Sequence, residues 1–269
     1  YYNYIIVFLC ITSLIGLFFY IIKLRPNKQT DIKELYSQGL DMMINGLQRS
    51  AYNNFKKIVE IDSENIKAYL RLGQVLRESG NVNKALKIHK GLLIRKNLNS
   101  YDLNELHKNL ALDYFQINKI DKAIEETLEI LKVDKKNTWA ISKLITFHKN
   151  LNEWDKATEY LEQLHKINGK PDIHKLGLFI MQEGRNLQNN KQFELARNKF
   201  EKALSVCPDL SSSYFFIAET FSKESEEYFQ EAEKNHDKNS DGYKKYFNQA
   251  LETLSKAIPM WIKYANSNP

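Results

Sequence analysis

Apolar residues along most of this chain recur at steps of three and four, the spacing of one face of an α-helix. The clearest stretch is Ala68 to Leu93, AYLRLGQVLRESGNVNKALKIHKGLL. Leu72, Gly73 and Leu76 mark one apolar stripe, and Ala85, Ile88 and Leu92 mark a second. The turn pair Gly80-Asn81 separates them. The pattern predicts two short antiparallel helices. A pair this small cannot bury both its apolar faces alone, so it belongs in an array of like units.

Sliding the sequence along itself finds the array. Gly39 and Gly73 lie 34 residues apart, as do Ala51 and Ala85, and Ala123 and Ala157. Ala85 to Ala123 is 38 and Ala157 to Ala196 is 39, so four or five residues are added at two joints. A small residue in each of two helices, repeating at about 34 residues, is the spacing of a tetratricopeptide repeat. The predicted fold is all-α: an N-terminal transmembrane helix followed by a right-handed α-solenoid of such repeats.

In chain order, residues 1–22 carry no charged side chain. That is enough to span a bilayer core, which takes about 20 apolar residues. The run exceeds a signal-peptide core and is followed by Lys23, Arg25 and Lys28 rather than a cleavage site. A retained anchor is expected, and those three cations place the bulk of the chain in the cytoplasm by the positive-inside rule. Residues 23–30 form a basic juxtamembrane linker. Four repeats follow over 31–167, then a linker at 168–176 containing Asn168-Gly169-Lys170-Pro171. Two further repeats cover 177–258, the fifth being the fullest match, with Gly184, Leu187, Ala196, Phe200, Ala203 and Pro208. In the sixth, Ala250 comes about twenty residues late, so the stretch 222–249 is read as an extended helical hairpin. Pro259-Met260-Trp261 has the form of a new helix start, and with no polar cap to close the array a continuation beyond Pro269 is expected.

Composition changes this picture little. With 10 Gly and 5 Pro in 269 residues, a turn-rich β protein is excluded. The net charge of +6 is spread over solvated helix faces, with no concentrated basic run to bind nucleic acid. Cys10 and Cys207 cannot plausibly pair, and no CxxC motif is present to build a zinc ribbon. The six histidines include no HExxH, and neither a phosphate-cradling glycine loop nor a GxSxG elbow occurs. His89 stands where the second helix usually carries an aromatic and is read as a packed core histidine. The chain is therefore read as a non-enzyme.

Repeats of this kind offer a concave surface lined by first helices. Positions one and four after the signature small residue give Leu40 and Met43, Gln74 and Arg77, Leu112 and Phe115, Thr146 and Lys149, and Arg185 and Gln188. Three residues before it lie Tyr36, Leu70, Lys108 and Met181. This surface begins apolar and becomes cationic through Arg77, Lys108, Lys149 and Arg185. It suits a protein segment with an acidic part and an apolar anchor.

The chain resembles lipopolysaccharide assembly protein B of Gram-negative bacteria. The likeness rests on the order of anchor and repeats, on the second repeat with Leu72-Gly73, Leu76-Arg77, Gly80, Ala85, Ile88-His89 and Leu92-Leu93, and on Trp154, Lys156, Ala157 and Leu164 of the fourth. It covers about residues 4–208. The resemblance implies a non-enzymatic adaptor at the cytoplasmic face of the inner membrane. Such an adaptor brings the deacetylase that commits to lipid A synthesis to a membrane-bound AAA+ metalloprotease, and works with other lipopolysaccharide assembly proteins. The family also carries a rubredoxin-like zinc module with paired CxxC motifs, which these residues lack, and the hairpin at 222–249 is a second departure. A different reading, a membrane-anchored scaffold for pili, secretion or outer-membrane machinery, places the repeats outside the cytoplasm.

Overall fold

The computed structural model describes residues 11–18, 28–95, 98–234, 238 and 240–267. Lys23 and Arg25 lie outside the described residues, as do the side chain of Lys28 and most of the expected membrane segment, of which 11–18 are helical. Among the described residues no helix is long and apolar enough to cross a membrane. The helices that follow are α1 (Lys28–Ile44), α2 (Gln48–Ile61), α3 (Ile66–Glu78), α4 (Val82–Leu92), α5 (Ser100–Gln116) and α6 (Ile120–Val133). After them come α7 (Thr138–Asn150), α8 (Trp154–Asn168), α9 (Ile173–Asn189), α10 (Phe193–Val206), α11 (Ser212–Glu233) and α12 (Asp241–Ser267). They fall into two compact units, 1–126 and 127–269.

The first five helix pairs are closed by the same turn. Its central residue has a left-handed backbone: Gly46, Gly80, Asn118, Asn152 and Lys191, with φ of 72°, 80°, 58°, 57° and 61°. On either side the amides of residues such as Gly80 and Asn81 return to the carbonyls of Arg77 and Leu76, and the other four turns repeat this pairing. The left-handed residue lets the chain reverse while its amide and the next satisfy carbonyls that the helix end would otherwise orphan. Glycine and asparagine adopt it readily; Lys191 does so against its own preference.

The joints between repeats are built differently. In Asp62-Ser63-Glu64-Asn65 the Asp62 carboxylate accepts from the Glu64 amide at 3.1 Å and from Asn65 Nδ2 at 3.2 Å. Asn65 Oδ1 then caps α3 by accepting from the Ala68 amide at 3.0 Å. Asp134 and Asn137 reproduce these bonds before α7. Asn99 caps α5 and Asp172 caps α9 in the same manner.

In the first unit, Ala51, Phe55, Ile58, Ala68, Leu72 and Val75 form the core. Its packing depends on bare backbone in the first helices. A Cβ on Gly39 would sit 2.7 Å from the Phe55 ring, and one on Gly73 would sit 2.3 Å from the imidazole of His89. In the second unit Gly184 stands in the same relation to Phe200, at 2.6 Å. The fourth repeat exchanges the sizes: Ile145 replaces the glycine, and the facing helix carries Leu161 in the same core cluster.

Two boundaries differ from expectation. The linker ends earlier than residue 176, because Asp172 caps α9 and starts it at Ile173. Pro259 opens no new helix; it lies inside α12. Proline removes one helical hydrogen bond, but the residues beyond it are held by tertiary contacts. Met260 packs on the core, Tyr264 lies 5.5 Å from Phe215, and Lys263 lies 5.5 Å from the Tyr214 ring. The stretch 222–249 contains the end of α11 and the start of α12, which pair as an antiparallel hairpin. Phe229 meets Phe247 at 6.2 Å, and Ser225 Oγ donates to the Ala250 carbonyl at 2.7 Å.

Gly73→Ala is expected to lower the stability of the chain by about 1–3 kcal/mol, the usual result of overpacking. Gly91→Ala, at a helical position with nothing within 4 Å of the added methyl, is expected to raise it by about 0.5 kcal/mol. Urea denaturation followed by circular dichroism separates the two.

Candidate functional site

The first helices of the first unit do form a surface depression. Tyr36 of α1, Lys67, Leu70 and Arg71 of α3, and Tyr101, Asp102, Glu105 and Asn109 of α5 enclose about 180 Å³. Tyr36 meets Phe55 edge-on at 5.6 Å, so its ring is fixed by the core beneath. Arg71 donates to Gln74 Oε1 at 2.6 Å, and Lys108 donates to Glu105 at 2.8 Å. Asn109 is fully engaged: Oδ1 accepts from Arg77 at 3.1 Å and Nδ2 donates to the Glu105 carbonyl at 2.9 Å. Asp102 Oδ2 accepts from Asn99 Nδ2 at 2.7 Å, while Asp102 Oδ1 is buried without a hydrogen-bond partner among the described residues.

Behind the depression lies a buried charged network. Arg77 Nη1 donates to Asp113 Oδ1 at 2.9 Å, and the second carboxylate oxygen is 2.5 Å from His89 Nδ1. His89 Nε2 is 3.2 Å from the Leu70 carbonyl, so both ring nitrogens face acceptors. His89 and Asp113 are 0% exposed. Both side chains are enclosed by the packed helices. His89 is thus a core histidine that also ties the second repeat to the third. Among the described residues no group of three or more His, Cys, Asp or Glu side chains is placed to hold a metal ion.

The sequence-predicted surface divides accordingly. Tyr36 and Leu70 line the depression. Leu40 and Met43 pack on the core, Gln74 is tied between Arg71 and Glu78, and Leu112 and Phe115 are half-buried. Arg77 is buried and spent on Asp113 and Asn109, and Lys108 is paired with Glu105, so neither offers the open cation expected from its repeat position. In the second unit Lys149 is exposed, its Nζ 5.8 Å from the Trp154 ring and 5.4 Å from Phe179. Arg185 is exposed over Phe216 at 5.1 Å. Neither has a carboxylate partner among the described residues. Met181 is buried with Ser212 Oγ donating to its sulfur at 3.4 Å, Gln188 is buried with Nε2 unpartnered among the described residues, and Thr146 is exposed.

Tyr101 and Asp102, at the start of α5, have no counterpart in the repeat pattern, whereas four other lining residues follow a simple rule. Lys67 and Arg71, and Glu105 and Asn109, stand six and two residues before Gly73 and Ala111. Each pair is spaced i, i+4 along its first helix, and comparing them between repeats exposes the change from basic to acidic and polar.

Among solved structures, the chain aligns with a tetratricopeptide repeat protein from Parabacteroides merdae with a TM-score of 0.50, over 89% of this chain and 94% of that one, at 16% identity. The fold is that of a tetratricopeptide-repeat protein. In sequence it is 28% identical over 184 residues to lipopolysaccharide assembly protein B of Haemophilus influenzae, covering 67% of this chain and 44% of that protein. The protein of the same name from Escherichia coli is 26% identical over 147 residues, covering 53% and 38%. The chain therefore spans less than half the length of the curated relatives it matches. No protein-family model matches.

Two outcomes are expected from the paired charges. Asp113→Ala leaves the buried Arg77 without its counter-ion and His89 Nδ1 without its partner, and is expected to cost about 3–5 kcal/mol in denaturant melts. Glu153, in the second unit, is held below the usual carboxylate range by the hydrogen bond from His148 at 2.6 Å and by Lys156, against a smaller opposing effect of burial. Its stabilising contribution is present above the unfolded glutamate value and is lost as pH falls through the depressed one. Carbon-13 NMR of the carboxyl is expected to show that midpoint moving upward in His148→Gln.

Proposed function

We propose that this chain is a non-enzymatic adaptor whose first-helix faces hold a segment of a partner protein. The observation that carries this reading is the pair Lys149 and Arg185. Both are exposed, both lie against aromatic rings, and neither has a carboxylate partner among the described residues. An aromatic face orients a cation; Arg185 also donates from Nη1 to Gln182 Oε1 at 3.3 Å, and its remaining N–H groups are left to meet an acidic group. An acidic stretch of the partner docks there, and apolar anchors sit on the neighbouring first-helix positions.

The likeness to lipopolysaccharide assembly protein B supports a more specific version. In it, the chain is tethered by its N-terminal apolar segment to the bacterial inner membrane as a single-pass protein, with Lys23, Arg25 and Lys28 and the repeats on the cytoplasmic side. It presents the deacetylase committing to lipid A synthesis to a membrane AAA+ protease, and so sets the rate of lipopolysaccharide supply. What supports the tether is the uncharged run 1–22 followed by three cations.

Crosslinked affinity capture from membranes, with mass spectrometry, tests this. Recovery of both the AAA+ protease and the deacetylase is the expected result. In a Lys149→Glu/Arg185→Glu variant the deacetylase yield is expected to fall about tenfold, equivalent to about 1.4 kcal/mol. Capture of pilus, secretion or outer-membrane assembly components in their place, or an unchanged yield with the variant, overturns it.

A further inference from the structure

We infer that the depression between α1, α3 and α5 receives a lysine or arginine side chain of the bound partner segment, with Asp102 as its counter-ion. The inference rests on the adaptor reading and adds to it the chemistry of one contact on the first unit.

Three observations converge. Asp102 is only 7% exposed, yet Oδ1 is buried with no hydrogen-bond partner among the described residues, its other oxygen being held by Asn99. A desolvated carboxylate oxygen with nothing to accept from is a costly arrangement, and a cation delivered to it recovers a charge-assisted hydrogen bond. The walls match such a guest. Leu70 supplies an apolar floor for a methylene stem, and the rings of Tyr36 and Tyr101 flank the space, Tyr101 being 68% exposed. The volume of about 180 Å³ suits one long side chain rather than a helix or a strand.

The polar groups around Asp102 favour a cation from outside the chain. Arg71 is already committed to Gln74, and Asn109 has both its amide atoms engaged within the protein. Lys67 is exposed and makes no ion pair with Asp102. Lys67 therefore remains at the mouth, where it suits an acidic neighbour of the incoming basic residue. The first unit thus reads a basic residue, while Lys149 and Arg185 of the second read acidic ones.

The test is NMR titration of the full chain with capped alanine pentapeptides carrying lysine, arginine or norleucine at the centre. The lysine and arginine peptides are expected to shift the amides of Leu70, Tyr101 and Asp102. Norleucine, which keeps the stem and removes the charge, is expected to bind about tenfold more weakly or not at all. Asp102→Asn retains an acceptor for Asn99 and is expected to lose the preference for charge. Lys67→Met is expected to bind the basic peptides as well as the parent or better. Equal binding of norleucine, or a charge preference that survives Asp102→Asn, overturns the assignment; the peptide comparison on the parent chain decides alone if the variant does not fold. Should none of the peptides bind while affinity capture still returns a protein partner, the adaptor reading stands and this pocket assignment falls.

Discussion

The close approach of a second-helix ring to first-helix backbone underlies the packing of these repeats. Phe55 lies on Gly39, His89 on Gly73 and Phe200 on Gly184, each nearer than any side chain on the glycine would permit. The contact sets the distance between paired helices, and it turns the opposite side of each first helix outward. In the second repeat it has a further effect. The ring resting on Gly73 is an imidazole, so one nitrogen faces the Leu70 carbonyl and the other reaches Asp113 in the next repeat. A phenyl ring fills the same space and can do neither.

That substitution determines how the first unit can be used. Asp113 is held between His89 and Arg77, and Arg77 in turn fixes Asn109. Solenoid stability is the sum of terms within repeats and terms between neighbours. Here the contact between the second and third repeats includes a buried ion pair, whereas the polar contacts between the first and second, such as Gln48 to Glu78, are exposed. The cost of desolvating the Arg77 and Asp113 charges is offset only while both are in place. The outcome is a rigid back wall behind Leu70 and Asn109, and a surface whose available charges are those nearer the N-terminal ends of the helices.

The repeats were legible in the sequence because small residues recur at fixed offsets and few other folds demand that. The hairpin of α11 and α12 is legible in the spacing, because Ala250 comes about twenty residues beyond its repeat position. Arg77 was read as an open cation because its repeat position faces outward, and nothing within its own repeat signals Asp113, 36 residues away. Pro259 was read as a boundary because proline usually ends helices, whereas contacts from Met260, Lys263 and Tyr264 to α11 and the core hold the helix through it. Local rules succeed where the deciding contact lies within a repeat and fail where a neighbouring repeat decides.

The left-handed turns give the chain a grain. From Gly39 to Gly46, Gly73 to Gly80 and Gly184 to Lys191, the distance along the chain is seven residues every time, and from each turn to the next small residue it is five. In the first five repeats the irregularity, the extra residues between Ala85 and Ala123 and between Ala157 and Ala196, falls outside that span; only the sixth pair, with its late Ala250, is lengthened inside it. Each of those five hairpins is therefore a closed module with a frozen register, and the joints are the hinges of its history. Residues can be gained or lost there without re-pairing any helix. A graft, deletion or transplanted repeat cut at Asp62–Asn65 or Asp134–Asn137 respects the module; one cut at Gly80 or Asn152 severs it.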